Sequence, residues 1–504
     1  MASQHTQTRG QGGIILGDMT TDELASFIDR RQRFAEAIGD SLAIVPASHE
    51  TPRNSDVHHP FRQDSDFFFL TGFDEPDAVA VFNPAHAKER YVLFVRPRDR
   101  EMEIWNGHRA GMEGAIAAYG ADAAYPIDQL DAKLREYALE RASIVYRLGN
   151  ASFDGRIIRL IEQARAWRVR GYETPVRIED PGPILHELRL RRSPAELARH
   201  RRACEISRDG HIEAMRYARP GLYEYQVQAA MEFVFRAGGS TRDGYPSIVA
   251  SGPNACILHY TENSRRLEDG DLLLIDAACE YGYHSSDITR TFPVNGRFTA
   301  PQRTIYELVL RSQLAAIAIV KPGIRYEEIH ETAKRVLTEG LVALGVLPRG
   351  VEESLAMHHY REFYMHGTGH WLGMDVHDVG AYKIRGASRP LEPGMVFTIE
   401  PGLYFDPDRE SVTYHLREYR EDEAFERRYR LGLAAAKKIE DEEKAKAQQV
   451  THPVPREFRG IGVRIEDDIL VTATGCEILT AGTPKTVDEI ERVCAEAPRA
   501  GSPA

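Results

Sequence analysis

The sequence predicts an α/β (α+β) protein of two domains, and three observations carry that prediction. The chain has 504 residues, 42% hydrophobic and 28% charged, long enough at about 150 residues per domain for two to three cores. Apolar runs of strand length alternate with segments of helical periodicity along its whole length. A proline-rich break, Pro175 to Pro183 (PVRIEDPGP), divides that alternation into a shorter first part and a longer second part.

Taken in order, residues 1–13 (MASQHTQTRGQGG) are polar, which predicts a disordered start without the apolar core of a secretion signal. Thr20 to Ile38 reads as a helix and Leu42 to Pro46 as a short strand. Phe67 to Leu70, Tyr91 to Val95 and Ser143 to Leu148 are apolar runs bounded by Gly, Pro or Asp and read as strands. Arg156 to Trp167 is helical in pattern, and the first domain is assigned to residues 14–183. Ser193-Pro194-Ala195-Glu196 is a capping box with proline at the first helical position, opening a helix towards Arg219. Helical patterns at Tyr223 to Ala237, Ala300 to Val320 and Tyr326 to Leu344 follow among short strands, so the second domain is assigned to 184–490. From Asp406 to Val450 about half the residues are charged, with Phe425, Tyr429, Leu433 and Ala436 at near-helical spacing. That segment, about 406–450, reads as a charged helical insertion at the surface. Gly460 to Thr474 returns to strand character.

Composition excludes several classes. No segment approaches the ~18 uninterrupted apolar residues of a membrane span. The 64 Lys and Arg face 76 Asp and Glu, a formal charge of −12, which is wrong for a nucleic-acid partner bound through phosphates. The cluster Arg189, Arg191, Arg192 sits beside acids and reads as a solvated helix face. Five cysteines, an odd number without a CxxC pair, argue against a disulfide framework and for a reducing, cytoplasmic compartment.

The chemistry is announced by acids at the ends of apolar runs. Leu272-Leu273-Leu274-Ile275 delivers Asp276, and Asp287 follows after a turn-like Glu280-Tyr281-Gly282-Tyr283, which suggests a hairpin aiming both carboxylates to one side. Val396-Phe397-Thr398-Ile399 delivers Glu400 before Pro401-Gly402. In Val463-Arg464-Ile465-Glu466 the period of two puts Arg464 and Glu466 on one face. Core strands seldom carry acids, because each must be neutralised. Histidines stand nearby: His259 after an apolar pair, His366 and His370 in MHGTGH, and His377 in DVHDVG. One imidazole with four carboxylates suits a pair of hard or borderline divalent cations such as Mn²⁺. His330-Glu331 is not a zincin motif, since Lys334 stands where the second histidine belongs. Gly367-Thr368-Gly369 lacks the strand–turn–helix setting of a nucleotide loop.

At these residues the sequence resembles the pita-bread metallopeptidases, and within them aminopeptidase P. The likeness lies in IVASGPNACILHYTEN, DGDLLLIDAACEYGYHSSDITRTFPVNG, MHGTGHWLGMDVHDVG, LEPGMVFTIEPGLY and RGIGVRIEDDILVT, with RNSDVHHPFRQDSDFFFLTGFDEPDA resembling the family's amino-terminal domain. The resemblance implies a creatinase-like α/β domain followed by a pita-bread catalytic domain. It implies two divalent ions, most simply Mn²⁺, held by Asp276, Asp287, His370, Glu400 and Glu466, with Asp287 and Glu466 bridging. Glu400 would also handle the proton of the attacking metal-bound hydroxide. His259, His366 and His377 would contact substrate or stabilise the tetrahedral intermediate, and Arg464 would orient Asp276. The implied reaction releases the first residue of Xaa-Pro-Yaa peptides. Prolidases, which cleave Xaa-Pro dipeptides and carry extra residues between the strands of Glu400 and Glu466, are the alternative, and a non-enzymatic relative that binds without cleaving is a more distant one. Glu103-Ile104-Trp105-Asn106-Gly107 resembles a segment that in relatives places an aromatic residue near a neighbour's active site, implying a homo-oligomer, a dimer or tetramer.

Overall fold

The computed structural model describes residues 21–499; the expected disorder of residues 1–13 lies outside them. The chain forms two compact units, one of residues up to 197 with Val379–Ala381, the other of the remainder.

In the first unit, helix α1 (Thr21–Ile38) buries Phe27, Phe34 and Ile38, spaced along one stripe. It lies against a six-stranded mixed sheet built from β1 (Leu42–Pro46), β2 (Val79–Phe82), β3 (Tyr91–Val95), β4 (Ala123–Pro126), β5 (Ser143–Val145) and β6 (Arg177–Glu179) in the order β4-β3-β2-β1-β5-β6. Phe34 meets Phe82 of β2 edge to face at 5.2 Å. The run Phe67 to Leu70 is not a strand. It is the centre of helix α2 (Ser65–Thr71), which Asp64 caps by accepting from Phe67 N–H and Gly72 ends in the left-handed conformation. All seven residues of α2 are buried, so no polar face interrupts the apolar run and its periodicity cannot separate helix from strand. The short α3 (Arg100–Asn106), capped by Asp99, buries nothing: Ile104 is 77% and Trp105 80% exposed. The expected strand at Ser143 to Leu148 stops at Val145, and α4 (Ala151–Arg168) begins earlier than its periodicity suggested, at the Asn150 cap.

The capping box at Ser193 forms as expected. Glu196 accepts from Ser193 N–H at 2.9 Å and from its hydroxyl at 2.8 Å, opening α5 (Pro194–Tyr217). In the second unit α6 (Ala300–Ala318) and α7 (Tyr326–Ala343) pack closely; a Cβ on Gly340 would lie 2.2 Å from Leu308 Cδ1.

Three small antiparallel sheets position the candidate residues. The first is β7 (Ile248–Ser251), β8 (Leu272–Asp276) and β11 (Thr289–Pro293), with β8 in the middle and Asp276 opposite Thr289. Between β8 and β11 a tight hairpin of β9 (Cys279–Tyr281) and β10 (His284–Ser285) turns at Gly282 and Tyr283, both at positive φ as a two-residue hairpin turn requires. The expected hairpin therefore exists with a smaller one at its tip. The second sheet joins β12 (Val396–Ile399), β17 (Asp467–Val471) and β18 (Cys476–Ile478), and the third pairs β13 (Gly402–Tyr404) with β16 (Gly462–Arg464). A bridge from Thr289 to Glu466 ties the first sheet to the others. Leu272 to Ile275 and Val396 to Ile399 are buried along their whole length. At about 1.5–3 kcal/mol per large aliphatic side chain, that burial holds the two acid-bearing strand ends in place.

The insertion is a ribbon with a helical tip. Strands β14 (Ser411–His415) and β15 (Gln449–Pro453) pair with each other, and α8 (Glu421–Leu431) and α9 (Leu433–Lys446) follow with a break at Gly432 (φ 78°). Its helices are those expected of a charged surface insertion. Phe425, Tyr429 and Leu433 are 71%, 83% and 77% exposed while Ala436 is enclosed.

Candidate active site

Asp276 sits where β8 runs out of aliphatic residues. Its Oδ1 accepts from the Tyr245 hydroxyl at 2.6 Å and its Oδ2 from Arg464 Nη2 at 2.6 Å. The same Tyr245 hydroxyl reaches Asp287 Oδ1. Asp287 lies in the link between β10 and β11, its Oδ2 at 3.3 Å from His370 Nε2, which is 3.6 Å from Glu400 Oε1. Glu466, 1% exposed, is fixed twice by one threonine: its N–H donates to Thr289 O at 3.1 Å and its Oε2 accepts from Thr289 Oγ1 at 2.6 Å. Donor atoms of Asp287, His370 and Glu466 all lie within 4.8 Å of one another.

The glycine-rich MHGTGH segment has a steric purpose. A Cβ on Gly369 would stand 1.9 Å from Thr398 O, so only glycine lets the loop approach β12 closely. There His370 N–H donates to Thr398 Oγ1 at 3.1 Å and Thr398 N–H to His370 O at 2.9 Å. His366 Nε2 meets Tyr404 OH at 2.9 Å, and Arg464 Nη1 donates to that same hydroxyl at 2.9 Å. Arg464 thus joins Asp276 to His366 through Tyr404. His377 packs edge to face on His370 at 4.2 Å.

All the candidates named from the sequence, His259, Asp276, Asp287, His366, His370, His377, Glu400, Arg464 and Glu466, line one cavity of about 480 Å³. Tyr245 lines it too and was not anticipated; a tyrosine before a proline in GYPS, far upstream of Asp276, carries no ligand signature. Thr289 and Tyr404 were also missed, although Thr289 follows Asp287 by two residues and Tyr404 follows Glu400 by four. Arg464 and Glu466 do not share a continuous strand, since β16 ends at Arg464, yet both reach the site. A second cavity of about 560 Å³ lies at the base of the insertion, lined by arginines, glutamates and three histidines, none of them candidates.

The electrostatics follow from crowding acids in a dry place. Burial pushes Asp287 up to about 6 and Glu400 up to about 7, with the neighbouring carboxylates adding to the rise and His370 opposing it. Glu466 is driven well above the carboxylate range by burial and by Asp287 and Glu400. For His370 burial acts downward, but the hydrogen bond and attraction to Asp287 and the pull of Glu400 outweigh it, at about 9. Burial brings His366 down to about 3 and lowers His377, so both imidazoles are neutral near pH 7. Four enclosed carboxylates facing one guanidinium make a site that favours added positive charge. An oxygen-rich donor set with one imidazole fits hard or borderline divalent cations. Among the described residues a second group, His200, Cys204 and Asp468, also brings three donor atoms within 4.8 Å, but it is wholly buried and lines no part of the cavity.

Comparison with known proteins agrees with this geometry. Residues 198–473 match the model of metallopeptidase family M24, and residues 27–146 that of the aminopeptidase P N-terminal domain. The Xaa-Pro aminopeptidase of Escherichia coli (strain K12) is 40% identical over 92% of this chain and 96% of its own. Xaa-Pro aminopeptidase 3 of Homo sapiens is 34% identical over 91% of this chain and 82% of its own. The solved structure of Pseudomonas aeruginosa aminopeptidase PepP is similar with a TM-score of 0.84 and 45% identity, covering 94% of this chain and 98% of that one. A zinc-substituted E. coli aminopeptidase P in complex with product gives a TM-score of 0.82 at 39% identity, over 94% of this chain and 98% of its own. With the acid-bearing strands, the glycine-dependent histidine loop and the amino-terminal α/β unit all present, the chain belongs to metallopeptidase family M24 and carries the aminopeptidase P N-terminal domain.

Proposed function

We propose that the chain is a two-metal Xaa-Pro aminopeptidase, releasing the first residue of peptides with proline in second place. The observation that carries the reading is the cluster of Asp287, His370 and Glu466 donor atoms, flanked by Asp276 and Glu400 in one cavity. Asp276, Asp287, His370, Glu400 and Glu466 would hold the ions, and the donor set suits Mn²⁺. When bound, two such ions polarise the scissile carbonyl and lower the pKa of a water. Glu400 would be the carboxylate placed to take up and return a proton during the attack. His377, with the exposed His259 of the same cavity, would donate to the carbonyl oxygen as it gains charge, while neutral His366, whose Nδ1–H goes to Gly367 O at 2.7 Å, would contact the substrate without donating. Arg464 orients Asp276 through its 2.6 Å contact. A tertiary amide has no N–H to read, so selection for proline falls to the shape of the cavity and to contacts with the carbonyl. In this scheme residues 184–490 are the catalytic domain and 14–183 the amino-terminal domain. The five cysteines are all free, which accords with a reducing, cytoplasmic setting, and no helix among the described residues is long and apolar enough to cross a membrane.

The aminopeptidase reading is tested against the dipeptidase by direct competition. With Mn²⁺ supplied, kcat/KM for Xaa-Pro-Yaa tripeptides should exceed that for Xaa-Pro dipeptides by at least about tenfold, a 1.4 kcal/mol preference. Faster dipeptide hydrolysis reverses the assignment to prolidase.

We further infer that the active form is a homo-oligomer, a dimer or tetramer. Trp105 and Ile104 project from a helix with no buried side chain, and such exposed aromatics are typical of interface anchors. Light scattering should report a multiple of 56.8 kDa. Trp105→Ala should raise KM severalfold or dissociate the assembly; a fully active monomer refutes the inference.

A further inference from the structure

The five proposed ligands differ in what fixes their backbone. Asp276 ends a strand paired on both sides, against Ile248 and Thr289. Glu400 N–H donates to Thr368 O at 2.7 Å, Glu466 N–H to Thr289 O, and His370 N–H to the Thr398 hydroxyl. Asp287 lies outside every strand, and its N–H goes to a side-chain carboxylate instead: both oxygens of Asp468 stand at 3.2 Å from it. Asp468 is 0% exposed and is anchored in β17 opposite Thr398. The same carboxylate accepts from the Ser286 hydroxyl at 2.9 Å and the Cys204 thiol at 3.2 Å, with His200 Nε2 at 3.8 Å. Donors from α5 and from the link before β11 therefore converge on one buried acid directly behind Asp287.

We propose that Asp468 is a positioning residue that stands in for the missing ladder partner of Asp287 and sets where the Asp287 carboxylate points. A buried N–H in a link must be satisfied, and here its acceptor is a side-chain carboxyl whose own position is fixed by β17 and by the Ser286 hydroxyl. Because the carboxylate is itself held by Ser286 and Cys204, the Asp287 peptide is clamped by a group that does not itself line the cavity. Groups that orient a metal ligand in this way typically govern affinity and turnover about 10- to 100-fold. The inference rests on the reading of Asp287 as a metal ligand. The rival account is that Asp468 merely ties β17 to the loop, which would affect folding alone.

The two accounts separate in a calorimetric titration of Mn²⁺ into chelator-stripped protein. Asp468→Asn keeps the size of the side chain but turns an amide N–H₂ towards donors. It should weaken Mn²⁺ binding about 10- to 100-fold and lower kcat at fixed Mn²⁺ by a similar factor, with KM for a tripeptide unchanged within about twofold. Folded Asp468→Asn with wild-type Mn²⁺ affinity, whatever its melting temperature, overturns the proposal. Should that variant not fold, Ser286→Ala removes one anchor and leaves the carboxylate; it should weaken Mn²⁺ about threefold, and an unchanged affinity overturns the proposal equally. Wild-type protein that binds no Mn²⁺ would instead refute the metal centre itself.

Discussion

Replacing Asp287 with alanine should lower kcat by about a thousandfold or more while the protein stays folded. The magnitude follows from chemistry: polarisation by a bound metal supplies several kcal/mol of transition-state stabilisation, and about 4 kcal/mol is three powers of ten. The persistence of the fold follows from burial. In the metal-free protein Asp287 is an enclosed acid pushed up to about 6, next to Asp276 and Glu400. At pH 8 its charge opposes folding, so its removal relieves repulsion. Metal-free Asp287→Ala should therefore melt no lower than metal-free wild type at pH 8. Single-turnover assays with circular dichroism give both readings, and retained turnover or an unfolded variant would contradict the assignment of Asp287 as a metal ligand.

Removing the metal should abolish activity and invert the dependence of stability on pH. Asp287 near 6, Glu400 near 7 and Glu466 higher still are all raised by burial above their unfolded values near 4. Between about pH 4 and 7 the stripped, folded protein thus holds protons that the unfolded chain has released, and its stability falls as pH rises. His370 acts in the same direction. Its pKa is raised to about 9, so its contribution is complete below about 6.5 and is lost as pH climbs through 9. Bound divalent ions replace those protons, so the loaded protein should be favoured as pH rises, by about 3 kcal/mol at a hundredfold excess over Kd. Melting curves at pH 6 and 8, with and without chelator, should converge at the lower pH. Parallel curves would mean that the carboxylates do not share a metal.

The acids at strand ends were legible because each breaks a rule. Asp276 follows four aliphatic residues, and Glu400 follows Val396 to Ile399; burial of a charge there demands compensation, and that demand is visible in one dimension. Asp468 was not legible. In the run Glu466-Asp467-Asp468 nothing local tells the three acids apart, yet all are buried and each answers to a different partner: Thr289 for Glu466, Arg290 and Lys485 for Asp467, and Ser286, Cys204 and the Asp287 peptide for Asp468. Those partners come from segments far apart in the chain, and no local pattern encodes them. Tyr245 was hidden for the same reason. The α/β order of the first domain was readable from apolar alternation, except at Phe67 to Leu70, where complete burial erases the polar face that distinguishes a helix.

The two strands that root the insertion pair with each other from Ser411 opposite Pro453 to His415 opposite Gln449. The excursion therefore closes on itself before it reaches the helices, and the exposed Gly432 at its summit is the point furthest along the chain from both ends of the ribbon. A chain that leaves and returns at one place can be lengthened cheaply, since doubling a closed loop costs only about 0.6 kcal/mol. Gly432 is accordingly a natural splice point for grafting a reporter or affinity module, carried on a handle whose length the paired strands β13 and β16 do not register.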